Sequence, residues 1–169
     1  MSAKKSYAVF GLGKYGEAVA KELSDRGMDV LAVDIDPKTV EDVVGILPVC
    51  KCADVTDPEV LAQLGIADID VVIISMASNL EASVLAVTLC RELGVGRIIA
   101  KCASEMHRKI LLRVGADSVV FPEQESGVRL AKNLLSSGFV DMISLSDEVS
   151  VVELDVKDEW VGRNLIELN

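Results

Sequence analysis

"YAVFGLGKYGEAV", residues 7–19, places glycines at 11, 13 and 16 between an apolar run and a helix-like one. The G-x-G-x-x-G spacing is weak on its own. Here it follows a strand-like run, opens a helix-like run, and is followed by Asp34 closing the next strand-like run, eighteen residues after Gly16. That combination points to a nucleotide-binding turn. Gly11 permits the tight turn, Gly13 lets backbone approach a pyrophosphate, Gly16 allows close helix packing, and the helix start offers N–H groups. Asp34 then accepts from ribose hydroxyls. In the alternative reading the glycines only make a turn and Asp34 only ends a strand. A 2′-phosphate would face both Asp34 and Asp36 with no arginine in that loop, which favours NAD, ATP or ADP over NADP.

Outward from this turn, short β-rich runs alternate with helical ones. SYAVF precedes a helix over 14–26, DVLAVD one over 37–44, and PVCKCA one over 58–64. DVVIISM precedes 80–93, RIIAKC precedes 104–114, and SVVFP precedes 124–135. Parallel neighbours require such crossovers, and VVIIS and RIIA read as strands covered on both faces. The expected fold is α/β: a Rossmann-like, doubly wound, six-stranded parallel sheet with helices on both faces. After residue 136 the pattern changes to two β-like runs, FVDMISL and VSVVELDV. We therefore expect a nucleotide-binding domain over 1–136 and a short β-containing extension over 137–169.

The 169 residues carry a formal net charge of −10 and only 4% aromatics. Such a chain repels a phosphate backbone and offers no stacking platform, so nucleic acid is a poor partner. The longest run without a charge, residues 71–80, is far shorter than the ~18 apolar residues of a spanning helix. The basic start leads into a strand and not a signal sequence, so the expected location is cytoplasmic. Cys50, Cys52, Cys90 and Cys102 lack zinc or redox spacing,. Cys50 and Cys52 share a strand face and are expected to pack inside.

Ligands of open α/β sheets lie beyond the carboxyl ends of the strands. That nominates Asp54, Met76, Ala77, Ser78, Asn79 and Lys101 beside the glycine turn. Asp54 either meets an adenine amino group or caps the helix near Pro58. Lys101 either meets phosphate or is merely exposed. Glu123 is a first-turn acid favoured by the helix dipole or a functional group. His107, the single histidine, reads from spacing as an exposed surface residue. About 48 residues follow Phe121, without histidine or cysteine, which leaves little to hold a substrate and carry its proton. The sequence reads as a sensor, not an enzyme. A nicotinamide-dependent oxidoreductase lacking its substrate domain is the alternative.

"VLAVDIDPKTVE", "CADVTD", "ASNLEASVLAVTLCRELGV", "IIAKC", "LLRVGADSVVFPEQESGVRLA" and "ISLSDEVSVVEL", together with the glycine turn, resemble the RCK (KTN, or TrkA-N) domain of Trk/Ktr-type potassium-uptake regulators. The resemblance is nearest to the Ktr type. It implies that 137–169 is a linker and the truncated start of a second RCK domain. It implies a cytosolic subunit, peripheral at the inner membrane face, that dimerises into an octameric ring on a membrane potassium channel or transporter subunit. ATP/ADP, or NAD/NADH, would set the ring's shape. The implied contacts are Gly11, Gly13, Lys14, Tyr15, Gly16, Asp34, Ile35, Asp36, Asp54, Val55, Met76, Ala77, Ser78, Asn79, Lys101, Cys102, Ala103, His107 and Glu123. Glu123 would hold a divalent cation at the phosphates. Lys14 stands where many Ktr-type members have arginine, and a lysine lacks the bidentate fork that prefers a terminal phosphate. An acid, Asp54, stands where several have asparagine.

Overall fold

The computed structural model describes residues 4–135, 139–144, 150–154, 156, 158–164 and 167. Six strands form one sheet: β1 (Ser6–Phe10), β2 (Asp29–Asp34), β3 (Cys50–Cys52), β4 (Val71–Ile74), β5 (Arg97–Lys101) and β6 (Ser118–Val120). Their order is β3-β2-β1-β4-β5-β6, and every pair is parallel. The crossovers are α1 (Lys14–Asp25), α2 (Pro37–Val43), α3 (Pro58–Gln63), α4 (Leu80–Glu92) and α5 (Glu105–Arg113). This is the doubly wound order, with the chain reversing its direction of travel between β1 and β4.

Alternation along each strand sends successive side chains to opposite faces. Val9, Ala32, Val71 and Ile73 form one core with Ala20 of α1 and Val43 of α2. Ala8, Phe10, Val72, Ile74 and Ile98 form the other with Leu61 of α3, Val87 of α4 and Leu111 of α5. All four residues of β4 are buried, as the uninterrupted apolar run requires for a central strand. β3 is shorter than PVCKCA suggests, because an edge strand pairs on one side only,.

Helices α2 to α5 begin on side-chain caps. Asp36 accepts from the Lys38 N–H, Asp57 from Glu59, Asn79 from Ala82 and Ser104 from His107, each relieving one unpaired first-turn donor. α1 differs: it begins at Gly13 with no side-chain cap.

The chain divides into two compact units, Met1–Phe121 and Pro122–Asn169. The second contains α6 (Pro122–Leu135) and an antiparallel hairpin of β7 (Phe139–Ser144) and β8 (Ser150–Leu154). The element pattern draws a boundary after residue 136, whereas compactness draws it before α6, which starts at Pro122 and not at Gln124.

Candidate functional site

At the switch point the carboxyl ends of β1, β2 and β4 open a cleft of about 290 Å³. Gly11 leaves β1 with φ +85, a conformation that side chains disfavour. Its N–H donates to the Val33 carbonyl at 2.9 Å. The next N–H, of Leu12, donates to Asp34 Oδ2 at 2.6 Å, and the Asp36 N–H donates to Asp34 Oδ1 at 2.9 Å. Asp34 thus ties the glycine turn to the end of β2, and each oxygen keeps a further lone pair for a ligand.

The glycines differ in what demands them. A Cβ on Gly16 would stand 1.9 Å from the Gly11 carbonyl oxygen and 2.5 Å from Ser75 Oγ, so close packing of α1 onto the turn requires glycine there. At Gly13 φ is −62, which any residue adopts, and a Cβ would meet nothing within 4 Å beyond its own stretch of chain. The fold itself does not need a glycine at 13. Its clearance lies at the uncapped start of α1, where N–H groups and the helix dipole favour an anion.

The opposite wall comes from β3–α3 and β4–α4. Asp54 Oδ1 accepts from both the Thr56 hydroxyl, at 2.7 Å, and the Thr56 N–H, at 2.9 Å. The Thr56 hydroxyl and then its N–H hold the Asp54 carboxyl below its usual range, so it stays an acceptor. Asp57 caps α3, not Asp54, which removes the capping alternative and leaves Asp54 on the cleft. Ile35, 64% exposed, gives the rim apolar surface beside that carboxylate.

Of the sequence-predicted residues, Gly11, Gly13, Asp34, Ile35, Asp54, Val55, Met76, Ser78 and Asn79 line the cleft together. Gly16 supports it from beneath. Asp36 caps α2, its Oδ2 accepting from the Thr39 hydroxyl at 3.0 Å. Ala77 sits in the β4–α4 loop. Lys14 opens α1 with its side chain 99% exposed and its ammonium 3.5 Å from Glu17. The Lys101 ammonium stands 5.5 Å from the Tyr15 ring centroid, linking β5 to α1,. Cys102 is buried and Ala103 exposed. Glu123 lies in the first turn of α6, within the second unit.

Two expectations are corrected. His107 is not a surface residue: it is 4% exposed, and its Nε2 lies 2.9 Å from Ser83 Oγ on α4. Charged neighbours in sequence mask the inward-facing position of its helix. Cys52 is exposed, its Sγ 3.5 Å from the Ile35 carbonyl, while Cys50 is half-buried against the core that holds Val43 and Leu47; β3 is the edge strand. The sequence reading missed Ser75, whose hydroxyl donates to the Gly11 carbonyl at 2.6 Å, and Thr56. Their positions directly after VVII and within CADVTD are the signals that mark strand-end residues.

The family model of the TrkA-N domain matches residues 7–122. The chain belongs to the TrkA-N domain family. The match takes in every predicted site residue except Glu123. The TrkA-N domain here is similar to Ktr system potassium uptake protein C of Bacillus subtilis, 37% identical over 166 residues, covering 98% of this chain and 75% of that protein. It is also similar to Ktr system potassium uptake protein A of Vibrio alginolyticus, 34% identical over 164 residues, covering 97% and 74%. Among solved structures the TrkA-N domain resembles the GsuK channel bound to ADP, with a TM-score of 0.62 and 25% identity, covering 78% of this chain and 34% of that one. GsuK has also been solved bound to NAD, with a TM-score of 0.62, 20% identity, and coverage of 70% and 22%.

Proposed function

We propose that this chain is the nucleotide-sensing regulatory subunit of a potassium-uptake system. The clearance at Gly13 carries the reading: a glycine the protein does not need, at the uncapped start of a helix, leaves room for a diphosphate. The Asp34 carboxylate takes ribose hydroxyls, Ile35 covers a base, and Asp54 accepts from its amino group. These groups bind and orient; none is placed as a nucleophile or a proton carrier. The relatives named for potassium uptake and the ADP-bound neighbour supply the context.

ADP and ATP are the preferred ligands, with NAD(H) a competitor for the same turn. Lys14 answers a terminal phosphate from the neighbouring subunit, and Glu123 is the acid offered to a divalent cation. ATP then favours one arrangement of a homodimer within an octameric ring, on the cytoplasmic face of a membrane potassium transporter subunit. Inverting such an equilibrium from about 1:99 to about 99:1 takes about 5.5 kcal/mol of differential binding, which several sites share.

Calorimetric titration of ADP, ATP and NADH, with light scattering on the same samples, tests the reading. Gly13→Val is expected to weaken ADP binding about 100-fold, equal to about 2.7 kcal/mol, while the poorer N-cap costs no more than about 1 kcal/mol of stability. Unchanged affinity in that variant would overturn the placement of the diphosphate.

A further inference from the structure

Among the described residues, His107 and Ser83 are the two buried polar or charged side chains of the first unit, and their hydrogen bonds run in one direction. The Ala103 N–H donates to His107 Nδ1 at 3.4 Å. A backbone N–H can only donate, so Nδ1 carries the lone pair and Nε2 the proton. Nε2–H therefore donates to Ser83 Oγ at 2.9 Å, and the Ser83 hydroxyl donates to the Leu80 carbonyl, also at 2.9 Å. The relay starts in the β5–α5 turn and ends in the first turn of α4. There Asn79 and Ala82 line the cleft, and the Ser83 N–H donates to the Asn79 carbonyl at 3.0 Å.

We propose that the Ser83–His107 pair is a proton-sensitive positioning element: neutral His107 holds the α4 wall of the nucleotide cleft, and protonation releases it. Protonated Nδ1 would turn a second donor toward the Ala103 N–H, which breaks the relay at its start. Burial alone already pulls the ring below its ordinary range, favouring the neutral form. No charged group among the described residues adds to that shift. Cys102, at the end of β5, is kept protonated by burial. Glu105 and Arg108 on α5 are about half exposed and lie 4.0 Å from each other. α4 meets the ring with the Ser83 hydroxyl.

The inference rests on nucleotide binding at the cleft, so its test separates the two. The chain has one histidine, so the ring Cε1–H resonance reports His107 directly in a pH titration by NMR. Saturating ADP is expected to lower the His107 pKa by about one pH unit, the reciprocal of about tenfold weaker ADP binding to the protonated form. Calorimetry of wild type and His107→Gln, which keeps a donor toward Ser83 but does not titrate, provides the second readout. As pH falls from about 7.5 through the His107 transition, the wild type should weaken more than the variant, by up to about tenfold once both free and bound forms are protonated. The comparison cancels titration of the ADP phosphate itself. A His107 pKa indifferent to ADP that does bind, or parallel pH profiles, overturns the relay alone. Absence of ADP binding to the wild type at about pH 7.5 overturns both readings.

Discussion

The glycine turn at 11–16 and the β5–α5 turn at 101–107 both leave carboxyl ends of the same parallel sheet, yet they are built on opposite plans. In the first, side chains are withheld: Gly11 turns at positive φ, Gly16 lets α1 approach, and Gly13 keeps open space. In the second, side chains fill the space: Cys102 and His107 are buried, and His107 reaches across to Ser83. The difference separates contact from support. Backbone donors exposed by glycine can meet a ligand directly, whereas a buried, fully bonded imidazole can act only through the wall it holds.

The comparison breaks most visibly at Gly16. Gly16→Ala pushes a methyl into the Gly11 carbonyl, and a backbone atom cannot swing away, so unfolding experiments should show a loss of about 3 kcal/mol or more. An unchanged melting temperature would mean that the turn is looser than the packing indicates. Asp34→Ala is next. It leaves the Leu12 and Asp36 N–H groups without their acceptor, costing about 1–3 kcal/mol in denaturant melts, and ADP binding should be lost as well. A stable variant that still binds ADP would divorce the acid from the turn.

Acid sharpens the other half. The pKa of His107 is depressed in the folded chain, so the folded state binds fewer protons than the unfolded state. Its contribution is fully present above the unfolded value, about 6.5, and is lost as pH falls toward the lower folded one. Melting temperatures of the wild type should therefore fall more steeply than those of His107→Gln below about pH 6.5. Equal slopes would remove the titrating group from the account. The smallest effect on stability belongs to Lys14. Lys14→Ala, on a fully exposed side chain, should change unfolding by no more than about 0.5 kcal/mol, while shifting the ATP-to-ADP affinity ratio in calorimetry.

Much of the first unit was legible in order. SYAVF and DVLAVD match β1 and β2 residue for residue, and helices 14–26 and 80–93 end within one residue of α1 and α4. Aliphatic runs and helix starts are local signals, read within a few residues. The glycine turn, Asp34, Asp54 and the loop after VVII were legible as cleft residues for the same reason, since a parallel sheet sends every strand end to one edge.

The three-dimensional packing decided what depends on partners distant in sequence. Asp54 and Asp57 look alike as caps, and only the backbone path assigns that role to Asp57. His107 looks exposed beside Glu105, Arg108 and Lys109, and only the seating of α5 against α4 turns it toward Ser83. Gly13 and Gly16 are the same residue in the same motif. The sequence alone determined that glycine stands at both positions; the tertiary structure alone separates them, because the carbonyl that excludes a side chain at 16 has no counterpart at 13.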